Sequence, residues 1–137
     1  MPPDPARLAD TRPWLIKVSA DLRAAELDLS IVPPLLEDAL FHCQQAAEKV
    51  LKAFLVWHDV AFRKTHDLVE IGGQCVTLDP TLEPVLRRAA ILTEYAWRFR
   101  YPELTIEPTR AEAEEALALA REAVEAILQR LPPEVRP

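Results

Sequence analysis

The run from Leu35 to His58, LLEDALFHCQQAAEKVLKAFLVWH, holds no glycine or proline and is rich in Leu, Ala, Glu, Lys and Gln. Such side chains lose little freedom in a helix, so the run predicts one long helix that the rest of the chain must cover. Leu36, Leu40, Cys43, Ala47, Val50, Phe54 and Trp57 recur at steps of three and four, and Ala39, Ala46, Leu51, Ala53 and Leu55 widen that stripe beyond one seam. The excess is enough to bury a second face against a twin subunit. Its polar side chains gather as Gln44, Gln45, Glu48, Lys49 and Lys52, within which Gln45 and Lys49, and Glu48 and Lys52, share a face. Without a nucleophile or paired carboxylate, this group is expected on a solvated or subunit-facing side.

Thirteen prolines against two glycines punctuate the other helices. Residues 1–12, with Pro2, Pro3 and Pro5, form an N-terminal leader expected to be flexible, and Pro13 suits the first position of a helix. Trp14, Val18, Leu22, Ala25 and Leu29 give that helix its seam, with Lys17, Asp21, Arg23 and Asp28 off it. Pro33 and Pro34 break the chain, so the first two helices pack antiparallel. Thr65 is placed to cap a short third helix, which Gly72 and Gly73 weaken and which ends between Gly72 and Leu78. Asp79 and Pro80 open a fourth helix with Leu82, Val85, Leu86, Ala89, Leu92 and Ala96 facing inward. Arg98 to Glu107 is a loop; Thr109 and Glu112 form a capping-box pair; Ala113 to Leu128 supplies the last stripe. The expected fold is an all-α, up-and-down bundle of four long helices plus one short helix. It occupies residues 13–131 as a single domain, with 132–137 as a C-terminal tail.

A net charge of −6 argues against non-specific nucleic-acid binding over the whole surface, while leaving room for a local basic site. No apolar run reaches the ~20 residues that span a bilayer, and the N-terminus lacks the apolar core of a signal peptide, so a cytoplasmic protein without membrane contact is expected. Cys43 and Cys75 lack metal or redox spacing and read as packing residues. His42 and His58 fall on nearly opposite sides of the central helix and cannot share one metal ion within a chain; no metal and no cofactor is expected.

Further positions invite a functional reading. His66, beside Lys64 and Asp67, can act in acid-base chemistry or simply fix the entry turn of helix three. Arg98, Arg100 and Tyr101 bring guanidinium forks and an aromatic ring into one loop, which suits phosphate contact and base stacking. The same arginines can instead bond the open carbonyls ending helix four or pair with Glu94 and Glu103. Arg63, Lys64, Arg87 and Arg88 join a basic face if the ends of helices three and four meet. Lys64, His66, Arg98, Arg100 and Tyr101 are thus the candidate nucleotide- or RNA-binding set, and His66, Arg98 and Arg100 the candidate catalytic one.

Phe41, His42, Gln44 to Lys49 and Leu51 to Ala53, then Lys64 to Leu68, then Arg98 with Arg100 to Pro102, resemble three ordered signatures of the HEPN domain family: F-x-x-Q-Q-A-A-E-K-x-L-K-A, K-T-H-D-L and R-Y-P. The resemblance runs from Trp14 to Leu131. It implies a homodimer and, for the small stand-alone type ending in R-Y-P, pairing with a minimal nucleotidyltransferase in a toxin-antitoxin-like system, with nucleotide or RNA as a further ligand. Ribonuclease members of the family are metal-independent and resemble one another in an Arg followed after four to six residues by His. This chain departs from that pattern: no His follows Arg98 or Arg100, and Arg63 and His66 have only two residues between them. The resemblance therefore points toward a partner-binding protein, with a divergent ribonuclease acting across the dimer and a plain nucleotide-binding module as the alternatives.

Overall fold

The computed structural model describes residues 2–102 and 106–137; Glu103, one of the acids expected near Arg98, lies outside them. Among the described residues the chain is helical, with no strand. The α-helices are α1 (Pro5–Ser30), α2 (Leu36–Trp57), α3 (Leu68–Leu78), α4 (Glu83–Ala89) and α5 (Arg110–Leu128), with 3-10 turns at Pro80–Leu82, Ala90–Ala96 and Pro133–Val135.

Side-chain pairs between helices fix their directions. Arg7 donates to the Trp57 carbonyl, Lys49 meets Asp21, and the Leu35 amide reaches the Asp28 carbonyl, so α1 and α2 are antiparallel as the proline break predicts. Arg130 with Asp79, Arg88 with Glu122 and Arg98 with Glu112 run the segment 79–98 antiparallel to α5. Arg110 on the Leu29 carbonyl and Arg12 on the Glu134 carbonyl set α5 antiparallel to α1. The result is the expected up-and-down all-α bundle, with α3 inserted across α2.

Its details differ from the sequence reading at the joints. α1 begins at Pro5 rather than Pro13, because the Asp4 carboxylate accepts the Ala6 amide and Pro5 takes a first-turn position whose missing N–H costs nothing. Pro13 lies inside the helix, which it enters at the expense of one backbone bond. Asp67, not Thr65, caps α3 by accepting the Val69 amide at 2.9 Å; the Thr65 hydroxyl closes the preceding turn on the Asp67 amide. α3 runs through both glycines and ends at Leu78, within the expected range. The fourth helical stretch is short α-helix flanked by 3-10 turns, not one long helix. Thr109 caps α5 on the Glu112 amide as expected, but the Glu112 carboxylate turns to Arg98 and Tyr95 instead of completing the box.

The larger correction concerns α2. Leu40, Cys43, Ala46, Ala47, Val50 and Leu55 are 0 % exposed, buried by the chain's own neighbouring elements. The apolar excess that widened its stripe is therefore consumed within the fold, and those residues are not the ones that would meet a twin. Apolar side chains do meet solvent at Phe41 on α2 and in the connecting segments, where Ile31, Val32, Leu35, Trp97, Tyr101 and Ile106 are exposed. No described helix is long and apolar enough to cross a membrane.

Candidate functional site

Gln44, Glu48 and Lys52 follow one another at four-residue steps along α2, and all three are buried, contrary to the solvated or subunit-facing position expected of them. What permits this is full pairing. The Glu48 carboxylate accepts from His66 Nδ1 at 2.6 Å, from Gln44 Nε2 at 3.1 Å and from Lys52 Nζ at 3.0 Å. Gln44 also donates to the His66 carbonyl at 3.3 Å, and its own Oε1 accepts from Gln45. Lys52 sits 5.6 Å from the Phe62 ring centre, where the π-face adds to its stabilisation. Burial acts to raise the Glu48 pKa, but the bonds from Gln44, His66 and Lys52 outweigh it and hold the carboxyl below its ordinary range.

An ionised Glu48 has a chemical consequence for His66. The ring must present Nδ1–H to the carboxylate, so its orientation is set and Nε2 points away from the anchor. The His66 side chain is 54 % exposed, against 5 % for Glu48. A carboxylate-anchored imidazole at the surface can accept a proton, donate one, or hydrogen-bond a phosphate. The imidazole anchored at the entry to α3 is thus also the one whose other edge is open to solvent. Asp67 caps α3 behind it, and the Leu68 amide is anchored on Thr93 Oγ1 at 3.2 Å.

Arg98 is placed differently from that imidazole. Its guanidinium bonds Glu112, lies 4.0 Å from Glu94 and sits 4.8 Å from the Phe99 ring centre. The structural alternative, pairing with Glu94, is therefore present, and Glu112 is the stronger partner that sequence reasoning did not name. Tyr95 donates to the same Glu112 carboxylate at 3.0 Å, and burial together with that bond pushes its phenol well above the ordinary range. Arg100 and Tyr101 are exposed, as is Lys64; none of the three side chains has an ion pair among the described residues. Arg100 lines a groove with Asp38, Phe41 and Trp97. The supposed basic face does not form, since Arg63 pairs with Glu70, Arg87 with Glu83 and Arg88 with Glu122.

On the opposite flank of α2, His42 meets Asp21 at 2.9 Å and Lys49 meets Asp21 at 2.7 Å. Asp21 is buried, not off the packed seam. Cys43 and Cys75 are buried thiols whose pKa values burial pushes up to about 12, which suits packing residues.

The model of one family, the HEPN domain, matches residues 11–131. No curated protein and no solved structure gives a significant match. With the match covering nearly the whole helical bundle, the chain belongs to the HEPN domain family.

Proposed function

We propose that this chain is the HEPN component of a two-component, toxin-antitoxin-like system: a cytoplasmic homodimer that binds a minimal nucleotidyltransferase protein and is not itself the catalyst. The observation that carries this reading is the apolar end of the bundle, where Phe41, Trp97 and Tyr101 are exposed around the R-Y-P segment. Two grooves adjoin there and share Glu37 and Asp38. Exposed aromatic side chains rimmed by charge are typical of protein-binding surfaces. The engagement of Arg98 by Glu112 agrees with a structural rather than phosphate-cleaving role for that residue. Light scattering of the protein alone, and after co-expression with a minimal nucleotidyltransferase, tests the reading. A defined complex that Trp97→Ala and Tyr101→Ala weaken is expected; a monomer that forms no complex refutes it.

A second reading has its own support in the anchored imidazole of His66. Nucleotide or RNA binding through His66, Lys64, Arg100 and Tyr101 would place a phosphate near His66 Nε2 and a base on Tyr101. For the divergent ribonuclease, Arg100 is the arginine left to meet phosphate, since Arg98 is engaged. Titration of a fluorescent RNA oligonucleotide and of ATP against wild type, His66→Ala and Arg100→Ala separates these readings, with cleavage followed on the same RNA. Binding unchanged in both variants sinks the second reading without touching the first.

A further inference from the structure

Three ligating side chains converge where α1 hands over to α2, away from the His66 network. Asp28 near the end of α1, Asp38 in the first turn of α2 and His42 one turn later each offer an atom, and these atoms lie within 4.8 Å of one another. Asp28 is half-buried as a residue, but its Oδ2 is sealed from solvent and has no hydrogen-bond partner. A buried carboxylate oxygen without a donor is costly, so this one calls for a proton or a cation.

The imidazole is prepared for the second of these. Its Nδ1 lies 2.9 Å from Asp21 Oδ1, while Lys49 balances Asp21 from the other side at 2.7 Å. A ring that donates Nδ1–H to Asp21 carries its lone pair on Nε2, and Nε2 faces Asp38 Oδ2 at 3.4 Å. A lone pair facing a carboxylate oxygen is repulsive unless something positive lies between them. Carboxylate, imidazole and metal in that order is a recurrent arrangement, in which the carboxylate fixes the tautomer and makes the nitrogen a better ligand.

We propose that Asp28, Asp38 and His42 bind a divalent transition cation of the zinc or manganese type, with Asp21 orienting His42. One nitrogen and two carboxylates favour these ions over magnesium or calcium, which prefer oxygen alone. Asp38 is half exposed and lines the groove that Arg100 also lines, which supplies an entry path. The charged and titratable groups around the site are Asp21, Asp38, His42 and Lys49, with Cys43 and Arg121 nearby. The Cys43 thiol is buried in the core and is not among the three converging ligands.

The test is calorimetric titration of tag-free, chelator-stripped protein with zinc chloride and, separately, manganese chloride at neutral pH, with magnesium chloride for comparison. One ion per chain is expected. Asp38→Asn and His42→Gln should each weaken binding about tenfold or more. His58→Gln, on the far end of α2, should leave it unchanged. Because Asp38 is exposed, its variant keeps the fold, and the melting curve of each variant confirms that. Absence of binding at millimolar ion overturns the proposal, as does wild-type affinity in both ligand variants.

Discussion

Glu48→Ala removes the one acceptor on which three buried or half-buried donors converge. Lys52 is 7 % exposed, and its ammonium has no other carboxylate partner among the described residues. Gln44, at 0 % exposure, loses its bond to Glu48, and His66 loses its anchor. Breaking a buried ion pair by deleting one partner costs roughly 3–5 kcal/mol, chiefly because the remaining charge is stranded. For a domain of this size each kcal/mol moves the melting temperature by about 3 °C, so a fall of ~10 °C or more is expected. Glu48→Gln keeps the shape and some of the bonds and should cost less, about 2 kcal/mol. The discriminating variant is the double change Glu48→Leu with Lys52→Met. It removes both charges and should lie within about 1 kcal/mol of wild type, since apolar replacement of a buried pair is often neutral. Urea denaturation at neutral pH, with unchanged denaturant slope, measures all three. The sign of the pH dependence follows from the lowered Glu48 pKa: its contribution is present above the unfolded-state value and is lost as pH falls through the folded one. The gap between wild type and Glu48→Gln should therefore narrow in acid. A Glu48→Ala cost below about 1 kcal/mol, or a double variant no better than the single, refutes the view of this network as a fully paired buried unit.

Other perturbations read different parts of the molecule. Gly73→Ala should stabilise by about 0.5–1 kcal/mol in urea melts, because a Cβ there meets nothing within 4 Å and alanine favours the helix. Thr11→Val should stabilise by roughly 1 kcal/mol, since the Thr11 hydroxyl is buried without a partner. Asp28→Asn should raise the melting temperature at mildly alkaline pH and much less near pH 4. The Asp28 pKa, raised by burial to about 6, means that wild type gives up its favourable protonation as pH climbs through that value, whereas asparagine does not titrate. An equal effect at both pH values would contradict this.

The helix count, the antiparallel start and the inward stripes were legible because period and proline placement are local signals. The joints were harder. Pro13 and Pro5 both suit a helix start, and only the Asp4 carboxylate on the Ala6 amide decides between them. Thr65 and Asp67 can each cap, and the choice depends on where Leu68 must enter the core, at 2 % exposure. The site was misread for a physical reason. Charged residues at four-residue steps usually mark a wet face, and burial of Glu48 and Lys52 depends on His66 arriving from the loop after α2. One signal was available: Gln44, Glu48 and Lys52 share a stripe flanked by the apolar Leu40, Cys43, Ala47, Leu51 and Leu55, so a polar stripe there had to be either exposed or mutually paired. Glu112 as partner of Arg98 had no local signal, because the contact requires the segment before α5 to fold back along it.

With those pairings in view, the signature residues divide into two sets. Gln44, Glu48 and Lys52 pair with one another and with His66; Lys49 holds Asp21; Asp67 caps α3; Arg98 holds Glu112. Each of these has a stabilising task that accounts for its chemistry. Lys64, Arg100 and Tyr101 have no such task among the described residues, and they share exposure with the outward edge of His66. An exposed, unpaired guanidinium or aromatic ring adds little to stability. In the proposed binding reading, ligand contact falls to these three and to His66, the one residue belonging to both sets. Substitution of Arg100 or Tyr101 should leave the urea midpoint in place while changing partner or RNA binding, whereas substitution of Arg98 should lower the midpoint first. If Arg98→Ala spared stability and Arg100→Ala did not, the division would be the wrong way round.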